Sequence, residues 1–100
     1  MIKHIVMWKL KDFAEGASKS ENAQNIKVQL EGLKNKIKEV RSLEAGININ
    51  DSADSYDVAL YSEFASLEDL KRYQHHPEHV KVGDFIIKLR LDRKVVDYQV

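Results

Sequence analysis

The segment "IKHIVMWKL", residues 2–10, is apolar on both of the faces that a β-strand presents. Successive side chains of a strand point to opposite faces, so every second residue shares a face. One face would carry Ile2, His4, Val6, Trp8 and Leu10, and the other would carry Ile5 and Met7. A strand with one face in water alternates apolar and polar residues. The pattern therefore predicts a strand whose two faces both meet other structure.

The segment from Ser18 to about Val40 has the spacing of an amphipathic helix. "SKSE" predicts an N-cap at Ser18, with Glu21 completing a capping box. An apolar residue then recurs every three or four positions, at Ala23, Ile26, Leu30, Leu33, Ile37 and Val40. This stripe predicts one helix that packs on a sheet. A coiled coil is the alternative interpretation, although the stripe is short for one.

Three later segments alternate as strands do. They are "SLEAGINI" (42–49), "YDVALYSEF" (56–64) and "RKVVDYQV" (93–100). Between the last two, Ser66 predicts the start of a helix, and Pro77 ends that helix and begins another. The second of these helices is "PEHVKVGDFIIKL", with an apolar side of Val80, Ile87 and Leu91 and a weak point at Gly83.

The order of elements is β-α-β-β-α-β over a single domain, residues 1–100. This order predicts the ferredoxin-like α+β fold, in which both helices cover one face of a four-stranded antiparallel sheet. The opposite face of the sheet would expose more apolar surface than monomers usually tolerate. We therefore expect a homodimer that uses this face as a two-fold interface.

Composition narrows the functional classes. Lys plus Arg and Asp plus Glu are both 16, and no long basic run is present, so nucleic acid is not an expected partner. The absence of cysteine excludes disulfides, thiolate metal sites and a cysteine nucleophile. The first segment is too short and too interrupted by Lys and His for a membrane span or a signal peptide. We expect a cytoplasmic protein without a membrane partner.

The stretch "YQHHPEHV", residues 73–80, holds three of the four histidines around the only proline. Histidine suits proton transfer near neutral pH because its ordinary pKa is about 6.5. A metal would need at least a third ligand beside two of these rings, and no ligand motif is present, so no metal site is predicted. For His75 and His76 the sequence favours a helix-end role, since histidine near a helix C-terminus interacts favourably with the dipole.

Four stretches of the chain together resemble the stress-responsive A/B barrel domain family. They are "IKHIVMWKLK", "SLEAGIN", "YDVALYSEFASLEDLKRYQHHPEHVKV" and "RKVVDY". The resemblance covers essentially all 100 residues. It implies two ferredoxin-like protomers that pack sheet to sheet around a central barrel, which is the cover that the doubly apolar first strand requires.

One branch of this family comprises plant polyketide cyclases that need no metal or organic cofactor. Their Tyr-(x)2-His-Pro-x-His stretch matches Tyr73, His76, Pro77 and His79 here. The resemblance implies that His79 acts as general base with Tyr73 as its partner, and that His4 lines the cavity. Where the cyclases carry a further cavity histidine in the third strand, this chain is apolar at or next to Val58.

Three functions remain open at this stage. The first is a dimer that binds a small apolar molecule in its barrel, through His4, Val6, Trp8, Val58 and Leu60. The second is a cofactor-free enzyme that uses Tyr73 and His79. The third is a haem-degrading or quinol-oxidising monooxygenase, as in related dimeric barrels. We predict no cofactor.

Overall fold

A four-stranded antiparallel sheet forms the centre of the computed structural model, which describes residues 1–100. Its strands are β1 (Ile2–Leu10), β4 (Ser42–Ile47), β5 (Val58–Phe64) and β6 (Arg90–Gln99), in the spatial order β4-β5-β1-β6. The helices are α1 (Lys19–Gly32), α2 (Leu67–His75) and α3 (Pro77–Ile87). The predicted ferredoxin-like α+β fold is confirmed.

The core lies between the helices and one face of the sheet. Antiparallel register places Val6 opposite Leu60 and Trp8 opposite Val58, and all four side chains are buried. The helices cover them with Ala23, Ile26 and Leu30 from α1, Leu70 and Tyr73 from α2, and Val82 and Ile86 from α3. Burial of such side chains contributes about 1.5–3 kcal/mol each, so this layer holds the helices on the sheet.

The first helix begins as predicted and ends earlier. The Ser18 side chain accepts a hydrogen bond from the Glu21 N–H, and the Glu21 carboxylate accepts one from the Ser18 N–H, which completes the capping box. The helix ends at Gly32 and passes into a 3₁₀ turn, Leu33–Asn35, so the predicted end near Val40 is wrong. The predicted stripe is nevertheless buried throughout, because the chain turns and returns its last apolar residues to the core.

The apolar side predicted for the third helix is wrong. Val80, Ile87 and Leu91 are exposed, whereas Val82, Ile86 and Leu89 face the core. Leu91 lies beyond the end of α3, within β6. The helix runs through Gly83 without a break. The prediction failed because Val82, Ile86 and Leu89 also follow one another at helical spacing, four and three residues apart, so that tertiary packing decides which stripe is buried.

The sequence did not predict the hairpin of β2 (Phe13–Ala14) and β3 (Ala17–Ser18). Its turn residues Glu15 and Gly16 both have positive φ, 51° and 76°, as the commonest two-residue hairpin turns require. Buried Asn22 of α1 anchors the hairpin by donating to the carbonyl of Ala14 at 3.1 Å. The other strands differ from prediction only at their ends.

The face of the sheet opposite the helices is partly apolar. Ile5 lies opposite Val96 and Met7 opposite Ala59 in the sheet register, and Met7 and Val96 are 41% and 54% exposed. None of the helices is long and apolar enough to cross a membrane.

Candidate functional site

A cavity of about 260 Å³ lies between the sheet and the helices α1 and α3. Its lining residues are His4, Val6, Trp8, Leu30, Leu60, His79, Val82, Gly83, Ile86, Ile87, Arg90 and Arg93. The exposed residues Ile87 and Arg93 mark the side that opens to water. The sequence predicted a ligand in the barrel between two protomers. These residues instead surround a space within one chain, because His4, Val6, Trp8 and Leu60 share the helix-bearing face of the sheet.

His79 reaches the cavity from the first turn of α3. Burial lowers the pKa of this imidazole below its ordinary value of 6.5, and the nearby charges of His4 and Arg93 lower it further, while a backbone hydrogen bond at Gln74 acts in the opposite direction. The ring is therefore neutral at pH 7. A neutral imidazole at a cavity wall can accept a proton from a bound molecule.

Tyr73 packs directly behind His79, with ring centroids 4.5 Å apart. The phenol is fully buried, and it also contacts Phe64, at 4.9 Å between ring centroids. Its hydroxyl has no hydrogen-bond partner, and burial raises the pKa of the group above its ordinary value of 10.0. Tyr73 thus supplies a protonated, unpaired donor near the histidine, although it does not line the open cavity.

His4 is held in place by the last strand. The register of β1 and β6 sets His4 opposite Asp97, and the Nδ1 atom of His4 is hydrogen-bonded to the Asp97 carboxylate. A carboxylate on Nδ1 fixes a ring's orientation and favours the tautomer that carries the proton there. The ring that is oriented in this way lines the cavity, and its centroid lies 6.3 Å from the Tyr73 ring centroid.

The other two histidines of the "YQHHPEHV" stretch serve helix ends, as the sequence predicted. The Nδ1 atom of His75 lies 2.8 Å from the Lys71 carbonyl in the last turn of α2. His76 caps α3 by accepting a hydrogen bond from the Glu78 N–H at 3.1 Å. Both rings are therefore engaged with backbone groups, and no group of three or more His, Asp or Glu residues is arranged to hold a metal ion.

The structure brings most of the predicted ligand contacts to one cavity. His4, Val6, Trp8 and Leu60 line it together with His79. Val58 does not line the cavity, although it is buried beside Trp8, its partner in the sheet register. Its apolar character therefore does not change the cavity wall.

Sequence reasoning missed the contributions of the helices and of β6. Leu30, Val82 and Ile86 had been recognised only as core residues or not at all, and Arg90 and Arg93 had no predicted role. The one signal available for the arginines was their position at the start of the last strand. It was insufficient, because two residues three apart in a regular strand fall on opposite faces.

Comparison with known proteins places this geometry in a family. The family model described as "Stress responsive A/B Barrel Domain" matches residues 2–100. A dimeric ferredoxin-like protein of unknown function from Bacteroides fragilis is 38% identical, with a TM-score of 0.88 over 99% of this chain and 95% of that chain. A Dabb family protein from Mesorhizobium loti is 27% identical, with a TM-score of 0.77 over 99% and 95% of the two chains.

A curated relative, an uncharacterized protein of Streptomyces coelicolor, is 35% identical over 80 residues, which are 79% of each chain. Its similarity agrees with the match of the family model over almost the whole sequence. The chain belongs to the stress-responsive A/B barrel domain family.

Proposed function

We propose that the protein binds a small, mostly apolar molecule in the cavity of each protomer. The observation that supports this most directly is the cavity itself, about 260 Å³ in volume, with seven of its 12 lining residues hydrophobic. Ligand sites are typically mostly apolar, with a few polar groups that fix orientation. His4 and His79 are such groups. The volume lies slightly below the 300–1,000 Å³ that is common for drug-sized ligands, which favours a small occupant.

The binding unit in this proposal is a homodimer. The face of the sheet opposite the helices carries the exposed residues Met7 and Val96 and the half-buried Ile5. On β1, Lys3 and Lys9 lie at either end of the pair Ile5 and Met7. An apolar face with charged surroundings is the usual anatomy of a protein interface. The Bacteroides fragilis relative is described as dimeric. Since the cavities lie on the other face of the sheet, dimerisation leaves each of them available.

Gly83 offers a way to test the cavity without disturbing the fold. A Cβ atom at this helical glycine meets nothing within 4 Å, so Gly83→Leu places its side chain in the open space of the cavity. Gly32→Leu is the matched control, because Gly32 is also helical and has open space, but lies outside the cavity. Both changes should favour helix formation by similar amounts.

The measurement is fluorescence of the uncharged probe N-phenyl-naphthylamine. We expect saturable binding by the wild type and by Gly32→Leu, and at least about tenfold weaker binding by Gly83→Leu, which corresponds to about 1.4 kcal/mol. Equal binding by all three proteins would place the probe elsewhere on the molecule and overturn the proposed site.

A second candidate function is proton transfer without a cofactor. One specific observation favours it: burial lowers the pKa of His79 at the cavity wall, which favours the neutral ring, and the ring of Tyr73, whose hydroxyl is unpaired, lies 4.5 Å from it between centroids. In an aldol-type cyclisation, His79 takes a proton from the carbon next to a carbonyl. The resulting enolate forms a carbon–carbon bond with a second carbonyl of the same molecule, and the imidazolium returns the proton to the new alkoxide.

Turnover of a linear poly-β-ketone thioester, followed by product chromatography, tests this candidate. A general base contributes roughly 100- to 10,000-fold, so His79→Gln should remove most of the rate above the uncatalysed reaction. His75→Gln, a change at an exposed helix end, should leave the rate unchanged. Equal rates with wild type, His79→Gln and no protein would exclude the reaction.

A further inference from the structure

Two arginines lie at the open side of the cavity, and the irregular pairing of the last strand brings them there. Lys9 pairs with Asp92 and Leu10 with Arg90, so that Leu91 is an extra residue on β6. Such a β-bulge shifts the alternation of side chains by one position. Arg93, opposite Trp8, and Arg90 consequently share the helix-bearing face, and both line the cavity.

No negative charge balances these guanidinium groups within the cavity. The lining contains no Asp or Glu side chain, and its other polar side chains are the imidazoles of His4 and His79. The acidic residues of the same strand have other partners. Asp97 is bonded to His4, and Asp92 is bonded to the Tyr56 hydroxyl and lies 3.5 Å from the Lys94 ammonium. Two cations without a negatively charged partner repel each other, and an anion between them would offset that repulsion.

The positions of the arginines match an amphiphilic ligand. Arg90 is half-buried and Arg93 is exposed, so the positive charge lies at the mouth, while Val6, Leu30 and Leu60 are buried further in. A planar guanidinium can bind a carboxylate with two parallel hydrogen bonds, which makes such pairs stronger than neutral ones. An apolar tail would then occupy the interior and an anionic head the mouth.

We infer that the molecule bound in this cavity carries a carboxylate head, held by Arg90 and Arg93 at the mouth, on an apolar body. This inference rests on the proposed binding function and adds the chemical class of the ligand. It also gives the β-bulge at Leu91 a role, since a regular strand would place the two guanidinium groups on opposite faces of the sheet.

Octanoate, octanol and octylamine form a suitable set of probes, because they share one apolar chain and differ in the charge of the head. Their affinities are measured by displacement of N-phenyl-naphthylamine at low salt, where charge pairs are least screened. We expect octanoate to bind the wild type at least about tenfold more tightly than octanol, and octylamine to bind most weakly. The preference for octanoate should decline as salt is added.

The double change Arg90→Gln with Arg93→Gln should abolish the preference for octanoate and leave the affinity for octanol unchanged. Unchanged octanol binding also shows that the double variant is folded. Arg41→Gln is the matched control, because Arg41 is an exposed arginine outside the cavity, and it should retain the preference. Arg93→Glu should reverse the order and favour octylamine.

The outcomes separate this inference from the proposed function. If the probe and octanol bind but octanoate has no advantage, or if its advantage survives in the double variant, the carboxylate inference is wrong and the apolar site stands. If N-phenyl-naphthylamine does not bind the wild type, the cavity is not a binding site, and both the proposed function and the carboxylate inference are wrong.

Discussion

At the scale of single residues, Tyr73 and His79 show what a sequence can and cannot reveal. The resemblance of "YQHHPEHV" to the family stretch implied that they act as partners, and their ring centroids are 4.5 Å apart. The absence of a partner for the Tyr73 hydroxyl could not be predicted, since it depends on how Phe64 and the rest of the core close around the ring. His4 was a predicted cavity residue, but its bond to Asp97 depends on the register of β1 and β6.

Removal of the Tyr73 hydroxyl should not destabilise the fold. A buried polar group without a partner costs about 1–3 kcal/mol, so Tyr73→Phe should keep the free energy of unfolding unchanged or raise it by up to about 1 kcal/mol. The matched change is Tyr61→Phe, whose hydroxyl lies 2.6 Å from both Lys3 Nζ and Glu63 Oε2. It should lose roughly 0.5–1.5 kcal/mol. Chemical denaturation measures both, and a clear loss for Tyr73→Phe would mean that the hydroxyl has a partner.

His79 should make stability depend on pH in the weakly acidic range. Its pKa in the folded protein is lower than the ordinary 6.5 because the ring is buried, so the unfolded chain binds the proton more readily. The neutral ring makes its full contribution to the free energy of unfolding above about pH 6.5, and this contribution declines as the pH falls toward the lowered pKa. Denaturation midpoints from pH 7.5 to about 5 should show this decline. His79→Gln should flatten it, whereas His75→Gln, at an exposed ring, should not.

At the scale of elements, local sequence signals predicted where the helices begin better than where they end. Ser18, Ser66 and Pro77 marked the helix N-termini correctly, because caps and proline act through adjacent backbone atoms. The end of α1 at Gly32 and the buried side of α3 depend on tertiary packing instead. The bulge at Leu91 is a further example, since only the pairing with β1 shows that β6 has one residue too many.

The capping box of α1 gives a quantitative test at this scale. Ser18→Ala removes the acceptor of the Glu21 N–H bond and should cost about 0.5–2 kcal/mol. Ser20→Ala, at an exposed position inside the helix, should be neutral or slightly stabilising because alanine is the better helix former. Thermal unfolding of the two variants checks this. Equal midpoints would show that the box contributes nothing to stability.

At the scale of the whole molecule, the order of the elements predicted the fold, and the doubly apolar first strand predicted the need for a partner. The sequence pattern predicted that both faces of β1 meet other structure, but it did not indicate which face the helices cover. The structure puts His4, Val6 and Trp8 against the helices and leaves Ile5 half-buried and Met7 exposed on the other face. The haem-degrading or quinol-oxidising alternative stays a prediction.

Dimerisation through the open face of the sheet predicts a sharp difference between two identical substitutions. Val96→Glu places a charge beside Ile5 on that face, where burial of an unpaired carboxylate in the proposed interface is costly. Val28→Glu places the same charge on the exposed surface of α1. In sedimentation at micromolar concentration, the wild type and Val28→Glu should be dimers and Val96→Glu should shift towards the 11.6 kDa monomer. A monomeric wild type would contradict the dimer proposal.

Trp8 allows the central claim, that the cavity of each chain binds a small apolar molecule, to be measured directly. It is the single tryptophan of the protein, and it lines the cavity. Octanol with a bromine at the chain end quenches indole fluorescence only at close approach. We predict saturable quenching with one molecule bound per chain, abolished in Gly83→Leu and retained in Gly32→Leu. Quenching that rises linearly without saturation, and equally in all three proteins, would contradict the claim.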